Sequence, residues 1–80
     1  MTISEFLKAE RTKRCLSQSE MAECIGVNQP TYATYENAWV DKKRNQVRVP
    51  GLITARRIAM FTGTTPELIN ELIENERKKH

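Results

Sequence analysis

The sequence predicts an all-α fold, a compact five-helix domain occupying residues 1–80 as a single unit. Three observations predict it. Thr2, Ser17, Asn28 and Thr65 each stand where a side chain accepts the free amides of a helix start. Gly26 and Gly63 fall where helices must stop. Apolar residues recur at helical spacing along most of the chain, and the one alternating stretch, Val47, Arg48, Val49, is too short to support a sheet alone. A chain of 80 residues buries only about 60–65% of its unfolded surface, so the core is small.

The first helix opens at Thr2, and Glu5, three residues on, closes a capping box. Ile3, Phe6, Leu7 and Ala9 mark its apolar side, and Lys13, Arg14 and Cys15 end it. A second box, Ser17 with Glu20, opens a helix whose inward face is Met21, Ala22 and Ile25 and whose corner is Gly26. Asn28 caps the third helix, with Pro30 in a first turn where a missing amide hydrogen matters little. That helix is expected to run from Gln29 to about Trp39, with Tyr32 and Tyr35 inward and Val27 packed in the turn.

The basic connection after Trp39 reads as a loop ended by Pro50 and Gly51. A fourth helix follows over about Leu52 to Thr62, stopped by Gly63. Thr65 caps a fifth with Pro66 at its first position, and Arg77, Lys78 and Lys79 at its end complement the helix dipole.

Composition narrows the function. With 39% hydrophobic and 29% charged residues the chain is of ordinary globular type, and no apolar run approaches the roughly 18 residues of a membrane span. A polar N-terminus gives no export signal, so the cytoplasm is expected. Cys15 and Cys24 form no C-x-x-C pair and read as small buried hydrophobes. The only histidine is His80, so neither a metal site nor a nucleophile–base–orienter set can be assembled. An enzyme is not expected, and no cofactor or small-molecule ligand is evident. From Lys42 to Arg57 six bases (Lys42, Lys43, Arg44, Arg48, Arg56, Arg57) meet no acid. Such a block is the footprint of a polyanion site, although basic runs also serve as solvated faces. Of Arg56 and Arg57, one is expected to reach a phosphate and the other to solvate the fourth helix.

Two short helices meeting at a glycine need a small residue at their crossing, the part Ala22 takes. The outward residues of the third helix, Gln29, Pro30, Ala33, Thr34 and Asn37, are short, neutral and rich in hydrogen-bonding groups, which suits a face lying against a DNA groove. Leu16, Ser17, Gln18, Glu20, Met21, Ala22, Ile25, Gly26, Val27, Thr31, Tyr32, Tyr35, Glu36 and Asn37 follow in the order of a known motif. In this the chain resembles the phage Cro and lambda-repressor-like (XRE-like) helix-turn-helix family. The likeness extends through IAMFTGTTPELI, Ile58 to Ile69, and so covers most of the chain.

The resemblance implies a sequence-specific regulator of transcription that binds double-stranded DNA, of the Cro-like phage or mobile-element repressor kind, with the helix-turn-helix formed by helices two and three. Base edges would be read by Asn28, Gln29, Pro30, Ala33 and Thr34, and the DNA backbone held by Gln18, Asn37 and the loop residues Lys42, Lys43, Arg44 and Arg48. It also implies that Arg11 clamps Glu36. Ala38 and Trp39 replace the family's glycine and short turn, and the loop that follows is longer than usual. A homodimer on a two-half-site operator is expected, with the stripe Leu68, Ile69, Leu72 and Ile73 as its interface. The alternative is a helical interaction module or antitoxin-type regulator whose main partner is a protein.

Overall fold

Five helices and one two-stranded antiparallel hairpin build the chain, which the computed structural model describes from Met1 to His80. Helix α1 (Ile3–Lys13) starts at the Thr2–Glu5 box, and α2 (Gln18–Ile25) at the Ser17–Glu20 box. Gly26 ends α2 at φ 75°, the left-handed conformation that a Cβ resists. Asn28 Oδ1 accepts the Thr31 amide at 2.9 Å to open α3 (Gln29–Glu36). Helices α4 (Leu52–Thr62) and α5 (Pro66–Lys79) occupy the expected spans, separated by Gly63 in a second left-handed turn. None of these helices is long and apolar enough to cross a membrane.

Several expectations are corrected. Helix α3 stops three residues short of Trp39, because Ala38 adopts φ 51° and the Trp39 amide folds back to donate to the Thr34 carbonyl at 3.0 Å. Alanine thus makes the turn that a glycine would make at lower strain. The connection expected as a loop is instead a hairpin, β1 (Val40–Asp41) paired with β2 (Gln46–Val47) in the register Val40 to Val47 and Asp41 to Gln46. Such a short ladder persists because Val47 is buried as β2 packs on α5, so tertiary contact supplies what the strands lack. Both cysteines are exposed. Cys15 takes a left-handed turn (φ 57°) after α1, while Cys24 lies away from the inward face of Met21, Ala22 and Ile25.

The core gathers Ile3 and Leu7 of α1, the three inward residues of α2, Tyr32 and Tyr35 of α3, Ala55, Ile58 and Ala59 of α4, and Ile69, Leu72 and Ile73 of α5. Phe6 and Val27 pack at its edge, but Ala9 is exposed. The stripe expected to join two subunits is therefore largely consumed within one chain. Of its four residues only Leu68 is left exposed, since α5 must cover both α1 and α4 in so small a domain. One acid joins this core. Glu76 is 1% exposed and caps α1 from across the molecule, its Oε1 accepting the Ser4 amide at 2.9 Å. Burial works against that charge, yet the bonds from Ser4, His80 and Thr2 hold its pKa below the ordinary carboxylate value.

Candidate nucleic-acid interface

Helix α3 presents its face from a fixed platform. Tyr32 and Tyr35 plant one side in the core, and burial drives the Tyr32 phenol pKa far up, so the hydroxyl stays a neutral donor to the Leu7 carbonyl at 3.4 Å. At its C-terminal end Glu36 accepts two bonds from Arg11, Nε to Oε2 at 2.8 Å and Nη2 to Oε1 at 2.9 Å. The Glu36 side chain is only 4% exposed and that of Arg11 20%. Burial raises the Glu36 pKa, but the Arg11 bonds, with help from Tyr32 and Gln18, outweigh it and hold the carboxyl below its ordinary value. The third Arg11 nitrogen donates to the Leu16 carbonyl at 3.0 Å and ties the loop before α2 to the same centre. This clamp locks α1, α2 and α3 together.

The amides expected to touch DNA continue that network. Gln18 Nε2 donates to Glu36 Oε1 at 3.5 Å, and Gln29 Nε2 donates to Gln18 Oε1 at 3.0 Å. The two glutamines therefore stand side by side, one at the start of each helix, with their orientation set from below. The side-chain oxygen of Asn28 is spent as the helix cap, leaving its amide nitrogen as the outward group. Pro30 is exposed, Ala33 and Thr34 are half-buried, and the Thr34 hydroxyl donates back to the Thr31 carbonyl at 2.6 Å. Asn37 is exposed at the C-cap. The five expected readers thus fall along a single short helix and its N-cap, which carry no charge except Glu36, paired with Arg11.

The expected backbone anchors divide. Lys42 and Lys43 sit at the hairpin tip, where the Lys43 amide donates to Asp41 Oδ1 at 3.0 Å and Asn45 at φ 53° completes the turn. Arg44 and Arg48 instead line a groove between the hairpin and the end of α5. The Arg48 guanidinium lies 5.8 Å from the centre of the Trp39 ring, and its amide donates to the Trp39 carbonyl at 2.7 Å, which extends the hairpin by one rung.

One positioning residue was not expected. Arg57 of α4 donates from Nη1 to the Gly26 carbonyl at 3.3 Å, so a Cβ at Gly26 would meet the tip of this exposed side chain and displace it. Gly26 thus answers chiefly to the left-handed turn, since the exposed arginine tip can swing aside. Arg57 is separated from Gly26 by 31 residues, and the basic run from Lys42 to Arg57 is its only signal in the sequence. Arg56 is exposed and forms no ion pair. Compared with family models, curated proteins and solved structures, the chain matches none.

Proposed function

We propose that the protein is a sequence-specific DNA-binding regulator of transcription, of the Cro-like, XRE-like helix-turn-helix kind. Helices α2 and α3 would be the helix-turn-helix, with α3 in the major groove. The observation that carries this reading is the pairing of Gln18 and Gln29 above the buried Arg11–Glu36 clamp. Amides held at fixed angles at the start of two adjoining helices suit one contact to a phosphate and one to a base edge. Gln29, with Asn28, Pro30, Ala33 and Thr34, reads bases, since amides pair with adenine and small apolar groups meet the thymine methyl. Gln18, Asn37, Lys42 and Lys43 hold phosphates, with Arg44 and Arg48 adding to the field from behind the hairpin.

One such unit touches few base pairs, so two subunits act together on half-sites about one helical turn apart. The test is selection of bound duplexes from a random pool. A two-fold repeated motif with that spacing is the expected result, and a pool that stays random while the protein remains folded overturns sequence-specific recognition.

A further inference from the structure

The larger of the two concavities on the molecule, about 640 Å³, lies between the hairpin and the last turn of α5. Arg44 and Arg48 enter it from the hairpin, Arg77 and His80 from the end of the chain, and Val47 and Val49 supply its apolar wall. Its one lining carboxylate, Asp41, already accepts the Lys43 amide. Arg77 shares its charge with Glu74 and His80 bonds to Glu76, whereas Arg44 and Arg48 form no ion pair at all.

Cations from one continuous run are readily explained as a solvated face. Cations brought together from positions 44, 48 and 77 into one concavity are not, because like charges repel and a concave wall focuses their field. The chemistry that relieves such a cluster is a multiply charged oxyanion, and the planar guanidinium fork matches phosphate oxygens two at a time. The groove volume falls within the roughly 300–1,000 Å³ of small-ligand sites, and the two valines offer an apolar surface to an organic portion.

We propose that this groove binds a small phosphorylated molecule, a pyrophosphate or a phosphomonoester with a compact organic group. Arg44, Arg48 and Arg77 hold the phosphate, while Val47 and Val49 contact the remainder. The site is separate from the face of α3 and stands whether or not that face reads DNA. Trp39, the only tryptophan, reports on occupancy because Arg48 lies over its ring.

The experiment is equilibrium dialysis of the full chain with pyrophosphate and, separately, adenosine monophosphate, against sodium chloride of equal ionic strength, with Trp39 emission followed in parallel. Saturable binding of at least one probe above the chloride baseline is expected, with a shift in emission. Arg77→Ala is expected to weaken it about tenfold or more, as loss of a charge-assisted contact should, while circular dichroism and affinity for a random duplex stay unchanged. Arg44→Ala serves as the second variant should Arg77→Ala disturb folding, and is read for probe binding alone because Arg44 also adds to the field proposed to favour DNA. The proposal is overturned by the absence of saturable binding, or by binding that folded Arg77→Ala and Arg44→Ala proteins retain in full. A parallel loss of duplex and probe binding in Arg77→Ala also overturns it, by making the groove part of a nucleic-acid surface.

Discussion

The α2–α3 corner and the hairpin that follows it are neighbours in the chain, yet they are held by opposite means. The corner rests on five buried side chains (Met21, Ala22, Ile25, Tyr32, Tyr35), a left-handed glycine and a two-pronged, largely buried ion pair. The hairpin rests on one buried valine, one aspartate-to-amide bond and an arginine over an exposed tryptophan. On the proposed reading, the difference matches two physical tasks. A hydrogen bond to a base edge fails when its distance or angle drifts slightly, so its donor must be mounted rigidly. A positive charge near a row of phosphates acts through a field that falls off slowly, so its mounting can be loose.

The largest expected break in this contrast is Glu36→Ala. It leaves the Arg11 guanidinium partly buried without its partner and unties Gln18, and a loss of about 3 kcal/mol in urea unfolding is expected. The same clamp predicts a pH dependence. Glu36 and Glu76 both titrate below the ordinary carboxylate value of 4.5, so the stability they contribute is fully present above that pH. It is lost as the pH falls through their lower folded values. Unfolding measured from pH 7 to pH 3 is expected to show this decline, and Glu36→Ala to show a shallower one.

Gly26→Ala comes next, at about 1–2 kcal/mol, since it forces an alanine into a left-handed backbone. Adding Arg57→Ala should recover little of the loss, because the exposed Arg57 tip can swing aside while φ stays positive. Thermal unfolding of both variants checks this. The smallest effect belongs to the hairpin: Lys43→Ala, exposed at the tip, should change stability by less than about 0.5 kcal/mol. A larger loss in the same unfolding measurement would mean that the tip is structurally committed.

The corner was legible in the sequence because its determinants are local. Capping boxes, the glycine stop and the spacing of Met21, Ile25, Tyr32 and Tyr35 act within a few residues of one another. The hairpin was not legible, because its two rungs depend on Val47 meeting α5, a contact that no local pattern announces. Distance in sequence also hid the Glu76 cap on Ser4, 72 residues away, and the convergence of Arg77 on Arg44. The α5 stripe misled for a related reason: its width suggested a second subunit, whereas α1 and α4 together cover Ile69, Leu72 and Ile73. Of the residues proposed to face DNA, those on α3 followed from the resemblance. Their support by the Gln29–Gln18–Glu36 chain emerged only in three dimensions.

The central claim, that the rigid corner reads sequence while the hairpin supplies charge, is tested most directly by comparing Gln29→Ala with Lys43→Ala on a selected duplex and a scrambled one across a range of salt. Gln29→Ala should lose about 1–3 kcal/mol on the selected duplex and almost nothing on the scrambled one. Lys43→Ala should weaken both equally and reduce the salt slope by about one. Equal losses on both duplexes for Gln29→Ala, or a loss confined to the selected duplex for Lys43→Ala, would contradict the account.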